Sequence, residues 1–370
     1  MLLILNKQRM DQLTPDQIAF YQQQCGDLLN APLPSITQNS AELKQKTGAN
    51  NFTSLAPYYH PDPNSPTGFP YIRIDGTRNI ESRKSSDSPY LNSLLSLVYS
   101  TATLYYYTKS EDYAIKSMEA LQTFFINENT KMNPSMTYSG IVIGDSMEDL
   151  RIRGAIIDTN MLSLLPDFIE LIKPSSHWTT ELDSGMTSWF DSLSDWFKTN
   201  PRGVLQASYS HNIKTSYMKQ LCSYLCACGK EVEARTYLEN NLTALLSAQI
   251  DMDGKQVLEM DRVKNRHYSN FNLILLVNLA TIANSLGINV WNYEDSEGKG
   301  SIKKAMKYLA YYYAHPAEWT TSDETNNSAM TRSWLQTGVE LYDDQILQDV
   351  FREVKIYNFT SVPDYICLPN

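Results

Sequence analysis

The stretch SPYLNSLLSLVYSTATLYYYTKSEDYAIKSMEALQTFFI, residues 88–126, decides the fold class. Its apolar residues recur three and four positions apart, the spacing that gives a helix one apolar face. The run breaks once, at TKSED (108–112), where Ser110 is placed to cap a second helix. Two amphipathic helices on a short polar link make an antiparallel hairpin whose exposed face needs further helices. The pattern returns near 156–172, 181–197, 212–228, 231–249, 268–286, 301–313 and 328–355. The joints CGKEVE, DMDGKQ and LGINVWNYEDSEGKG are short, polar or Gly-containing, and convincing period-two alternation is missing. The reading is all-α, an (α/α) toroid or solenoid of antiparallel hairpins. The lack of a fixed-period repeat favours the toroid.

Composition bounds the chemistry. The chain has 370 residues, is 42% hydrophobic and 19% charged, and so has the means to bury a core. Its net charge of -10 argues against a nucleic-acid or anionic-membrane partner. No run is long and apolar enough to span a bilayer. The opening MLLILNKQRM has five apolar residues before NKQ, too few for the apolar core of a signal peptide. The 24 tyrosines suit sugar rings, since each offers a flat apolar face and a hydroxyl, and they suit a protein core equally well. The cysteines are Cys25, Cys222, Cys226, Cys228 and Cys367. Their odd count and the lack of a CxxC pair argue against a disulfide framework and against a zinc site. Three fall in LCSYLCAC, where packing between helices is the expected role.

Two stretches lack a helical period. Residues 40–85 include LAPYYHPDPNSPTGFPYIRIDGTRN, dense in Pro, Gly, Tyr and Asp. A loop this long inside a compact domain is functional or disordered, and its aromatics argue for order, so it reads as a lid or cleft wall. Residues 127–154, NENTKMNPSMTYSGIVIGDSMEDLRIRG, form the second. The expectation is one domain, 1–370.

Two polar clusters stand where irregular chain meets a helix start. One is HNIKTSYMKQ (211–220). The other, LEMDRVKNRHYSNFNL (258–273), carries Glu259, Asp261, Arg262, Lys264, Arg266, His267, Tyr268, Asn270 and Asn272. Taken singly, such charges make a solvated turn with helix caps. A Tyr, a His and two Arg beside an apolar helix also suit the binding of a polyanionic sugar. These residue types fit β-elimination on a uronic acid. The C5 proton becomes removable once donors or cations neutralise the adjacent carboxylate, and a Tyr with a lowered pKa can take that proton and protonate the leaving oxygen. A glycosidase would need two carboxylates about 5–10 Å apart, and no such pair is identifiable from spacing. Neither a metal-ligand cluster nor a Gly-rich phosphate loop is present, so no cofactor is expected.

These residues resemble the alginate lyase superfamily, helical-toroid lyases of uronic-acid polymers. NNFTSLAPYYHPDPNSPTGFPYIRIDGTRN is similar to its N-terminal segment, KMNPSMTYSG to its MNPNLNYAQ, and AIIDT to its GIIDT. SAQIDMDGKQVLEMDRVKNRHYSNFNLILLVNLATIANSLGINVWNY (247–293) follows its E..R....HYS.FNL region. The resemblance implies Tyr268 as the catalytic acid and base, Arg262 as the active-site arginine and His267 as the motif histidine beside it. It also implies cleft positions for Tyr59, His60, Asn133 and Tyr138, and substrate contacts for Lys214 and Arg266. An acidic polysaccharide is the implied substrate, alginate first and glucuronan second, and the implied location is periplasmic or secreted.

One departure matters. The family's NNHGTWY lies without a gap on HNIKTSY, so Asn212, Thr215 and Tyr217 agree while Ile213 stands in the histidine position. His211 is two residues away, about 200° around a helix, and reaches the cleft only if the helix begins after it. Three readings stay open on the sequence. In the first, Tyr268 does the proton work while Asn212, Arg262 and His211 or Lys214 neutralise the carboxylate. In the second, His211 or His267 is the base. In the third, the chain has lost the activity and only binds acidic glycans, or has taken up different chemistry.

Overall fold

A computed structural model describes residues 2–319 and 328–354. The helices are α1 (Lys7–Met10), α2 (Pro15–Cys25), α3 (Glu42–Thr47), α4 (Glu81–Lys84), α5 (Ser88–Thr108), α6 (Glu111–Leu121), α7 (Leu165–Ile172) and α8 (Thr180–Thr199). They continue as α9 (Pro201–Ser208), α10 (Asn212–Ala227), α11 (Glu231–Gln249), α12 (Asn265–Ser285), α13 (Ile302–Ala314), α14 (Ser328–Leu341) and α15 (Gln345–Glu353). Strand among the described residues is confined to two short antiparallel pairs. These are β1 (Tyr59–His60) with β2 (Ile72–Arg73), and β3 (Val142–Ile143) with β4 (Leu150–Arg151). No described helix is long and apolar enough to cross a membrane. The chain divides into two compact units, one of Leu13–Ala207 and Tyr224–Gly229, the other of Leu2–Gln12, Ser208–Ser223 and the described residues from Lys230 on.

In the first unit α5 is the central helix. Leu91, Leu94, Leu95, Val98, Ala102 and Tyr105 form its apolar stripe, and Leu97, Thr101 and Leu104 are buried as well, so α6 and α7 both pack on it. It ends at Lys109, whose left-handed φ of 57° stops the helix. Ser110 does sit at the start of α6, but its side chain makes no cap bond; Glu111 and Asp112 fill the first turn instead. Large aromatics knit the rest, with Tyr99 stacked on Phe168 at 4.0 Å and Trp189 edge-on to Phe125 at 4.6 Å. Trp189 donates to Met132 O at 2.8 Å and Trp196 to Thr137 Oγ1 at 3.0 Å, which ties residues 127–154 to α8. The segment 40–85 is anchored by Lys44 and Asp87, a fully buried pair at 2.5 Å. Asp87 also accepts from Thr53 N–H and Asn39 Nδ2, each at 2.7 Å. Burial pushes the Asp87 carboxyl up and the Lys44 amine down, and their mutual attraction opposes both.

In the second unit α12 packs against α13 and α14, and α15 against α13 and α14. The opening Leu3, Ile4 and Leu5 are core residues here, and Arg9 is paired with Glu340 at 2.7 Å. The turn after α11 needs Gly254: its φ is +90°, and a Cβ would lie 2.3 Å from Lys304 O. The single helix expected over 328–355 is two, because Tyr342–Asp344 breaks it and Tyr342 Oη donates to Trp291 O at 2.6 Å. Residue 355, like Cys367, lies outside the described residues. Five helices, α1, α2, α3, α4 and α9, fall where no helical segment is expected from the pattern, and α3 and α4 lie within the stretch 40–85 read as irregular. Cys222 is buried and Cys226 and Cys228 are half-buried in α10 and just after it, as packing requires.

Candidate active site

The first turn of α10, the turn Val257–Glu259 and the start of α12 bring the second unit's polar side chains together. α10 begins at Asn212, so His211 is the residue before the helix, and its carbonyl accepts from Lys214 N at 2.8 Å. Asn212 is buried and donates twice over to Glu259. Its backbone N–H reaches Oε1 at 2.8 Å, and its Nδ2 reaches Oε1 at 3.0 Å and Oε2 at 2.8 Å. Glu259 is 1% exposed. Its burial pushes the carboxyl above its ordinary range, while the Asn212 donors and the Arg262 charge pull it back. A carboxylate at this place also meets the positive end of the α10 helix.

Three residues on, Arg262 lays its guanidinium over the Tyr268 ring, Cζ to centroid 3.5 Å. A planar cation on a ring face is attracted by the quadrupole, and a positive charge this close favours a phenolate over a phenol. Tyr268 is 8% exposed and sits in the first turn of α12, with His267 edge-on to its ring at 5.4 Å. His211 packs on Tyr209, ring centroids 5.4 Å apart. Lys214 is half-buried, and burial lowers its pKa. Ile213, beside it, is half-buried.

A buried polar ladder holds these starts in register. Gln249, at the end of α11, accepts from Thr215 Oγ1 at 3.1 Å and Asn272 Nδ2 at 2.9 Å, and donates to Ser210 O at 2.8 Å. Asn272 also donates to Gln256 Oε1 at 2.9 Å, and Gln256 donates to Ser269 O at 2.7 Å. Each amide is thereby committed to another element, which ties α10 to α12. Other members of the expected cluster make contacts within the unit. Asn270 accepts from Thr331 and Trp334, Asn265 accepts from Trp319 Nε1, and Arg266 Nη2 reaches Tyr312 O at 3.3 Å. Arg332 donates to the carbonyls of Phe351 and Val354, and Trp334 is fully buried. Tyr217 is buried too, which pushes its hydroxyl up to about 12.

The remaining expected residues belong to the first unit and make local contacts there. Tyr59 Oη accepts from Arg153 Nη1 at 2.5 Å, and His60 Nε2 meets Thr77 O at 2.8 Å. Asn133 donates to Asn51 Oδ1 at 2.9 Å, and Tyr138 packs on the Leu43, Ile141 and Ile143 cluster. Arg153 is not among the residues expected at a site. No group of three or more His, Cys, Asp or Glu among the described residues is placed to hold a metal ion.

A family model described as alginate lyase matches residues 35–319. A crystal structure of an alginate lyase from Bacteroides ovatus is similar over 100% of this chain and 99% of its own, at 25% identity and TM-score 0.89. Alginate lyase A1-III from Sphingomonas species A1 covers 90% of this chain and 88% of its own, at 16% identity and TM-score 0.56. A histidine-to-alanine variant of A1-III complexed with a tetrasaccharide gives 15% identity, TM-score 0.58, and coverage of 91% and 92%. The all-α toroid class expected from the helical hairpins is the fold these likenesses give. No curated protein matches the chain.

Proposed function

The chain belongs to the alginate lyase family, and on that premise we propose that it cleaves a uronic-acid polysaccharide, alginate before glucuronan, by β-elimination around Tyr268. The observation that carries this reading is the Arg262 guanidinium stacked 3.5 Å over the Tyr268 ring. An ordinary phenol with a pKa near ~10 is a poor base at neutral pH, and a stacked cation stabilises the phenolate that is needed. Asn212 and Arg262 face the substrate carboxylate and draw off the charge that builds up when C5 loses its proton. The Tyr268 phenolate takes the C5 proton, the C4–O glycosidic bond breaks as the C4=C5 double bond forms, and the phenol returns the proton to the leaving oxygen. Proton and electron pair are both accounted for, and the product is an unsaturated uronate. A tetrasaccharide bound to a solved alginate lyase of this fold supports an oligosaccharide as the ligand.

A second reading has its own observation. Ile213 supplies no donor where the family motif has a histidine, which fits a relative that binds acidic glycans without cleaving them. Ultraviolet absorbance of the unsaturated product, measured on mannuronan, polyguluronate and glucuronan, separates the two. Cleavage by the wild type with loss in Tyr268→Phe supports the lyase, whereas binding without cleavage on all three supports the glycan-binding relative.

A further inference from the structure

We infer that Glu259 is a positioning residue that fixes which way the Asn212 amide faces. The inference rests on the reading of Asn212 as a donor to the uronate carboxylate. An ionised carboxylate only accepts hydrogen bonds, so the contacts at 3.0 and 2.8 Å from Asn212 Nδ2 decide the orientation: nitrogen toward Glu259, carbonyl oxygen away. Both contacts go to the two oxygens of one carboxylate. The reading of Asn212 as a donor requires its second amide hydrogen to point away from that carboxylate, toward the substrate.

The alternative orientation matters because an asparagine amide is nearly isosteric on its two ends. One orientation offers a substrate carboxylate an N–H, while the flipped one offers it an oxygen, which repels. Glu259 removes the flipped state. Capping the helix alone does not account for the arrangement, since a Ser, Thr or Asp at the helix entry would cap α10 locally. Here a side chain 47 residues further along the chain is buried to 1% exposure and reaches both the Asn212 backbone and its side chain. Burying a carboxylate is costly, and a cost retained at a candidate active site is a mark of function. Ile213 raises the stakes, because the donor work on this turn then falls more heavily on Asn212.

Glu259→Gln isolates orientation from size. Its carbonyl can still accept from the Asn212 N–H, but its NH2 faces Asn212 Nδ2, and two opposed donors favour a flipped Asn212. The measurement is calorimetric binding of a mannuronate tetrasaccharide to Tyr268→Phe protein, with and without Glu259→Gln, alongside the carboxyl-reduced tetrasaccharide. The expected result is binding of the acidic sugar weakened about tenfold to a hundredfold by Glu259→Gln. The neutral sugar should bind both proteins equally, and Glu259→Asp, which keeps two acceptors, should recover part of the loss. Equal affinity for the acidic sugar, or equal weakening for both sugars, overturns the positioning role while leaving the lyase reading intact. A Tyr268→Phe parent that does not bind the acidic tetrasaccharide overturns both.

Discussion

The two polar regions of this protein look alike as sequence and differ as structure. Residues 40–85 are crowded with Tyr, Asp, Arg and His, as is the 258–273 cluster. In the first, the polar groups close on their own surroundings: Lys44 with Asp87, His60 with a backbone carbonyl, Tyr59 with Arg153. In the second, an inner layer of Gln249, Gln256 and Asn272 is linked by its own hydrogen bonds and holds in place an outer set of Asn212, Glu259, Arg262 and Tyr268. Polar density alone does not mark a site. What marks it is a hydrogen-bonded layer whose effect is to aim a few other groups, at the cost of burying a carboxylate.

This contrast can be broken in several places. The largest stability effect belongs to the first region, where Asp87→Ala strands the Lys44 ammonium in the core. It should cost about 3–5 kcal/mol in urea unfolding, and the double change Asp87→Leu with Lys44→Met should cost much less. A small single-mutant cost would mean that the pair does not anchor residues 40–85. Next, Arg262→Ala should lower kcat about 10²–10³-fold while the melting temperature barely moves, as expected for a group that acts on developing charge. A change confined to KM would reassign Arg262 to ground-state binding.

A smaller effect follows from the raised Glu259 carboxyl. A carboxyl whose folded pKa lies above its unfolded value of about 4.3 favours the fold when protonated. That contribution is fully present below the unfolded value and is lost as pH rises through the folded one. The melting temperature of the wild type relative to Glu259→Gln should therefore rise as the pH falls from 7 toward 4, and a flat difference would contradict the burial cost. Smallest of all, Tyr59→Phe should change stability by no more than about 1 kcal/mol, since it loses one exposed hydrogen bond with Arg153. Tyr59→Ala then sharpens the comparison. A raised KM on polymer at constant kcat would give residues 40–85 a substrate role as well as a structural one.

The helical hairpins were legible because long apolar faces carry their own period, as α5 and α6 show. α2 is weakly apolar, yet its start is written in Thr14, Pro15 and Gln17, a capping box. The break between α14 and α15 has no Gly or Pro to announce it, and depends on Tyr342 reaching Trp291, a contact 51 residues long. Within the site, Tyr268, Arg262 and Asn212 were reachable through the family resemblance. Glu259 was visible only as one charge among many, because its partner lies 47 residues earlier and the pairing exists only once α10 and α12 are packed. The Ser110 cap failed for the opposite reason: the residue type was right for the position, and acidic residues in the first turn of α6 stand in its place.

The central claim is that Tyr268, under the Arg262 guanidinium, carries the proton in a β-elimination. The direct measurement is the rate of unsaturated uronate formation by wild type and Tyr268→Phe on mannuronan, with tetrasaccharide binding measured on the same preparations. The account predicts a loss of about 10²–10⁴-fold in kcat with binding retained. A Tyr268→Phe protein that still forms the unsaturated product at the wild-type rate would contradict it.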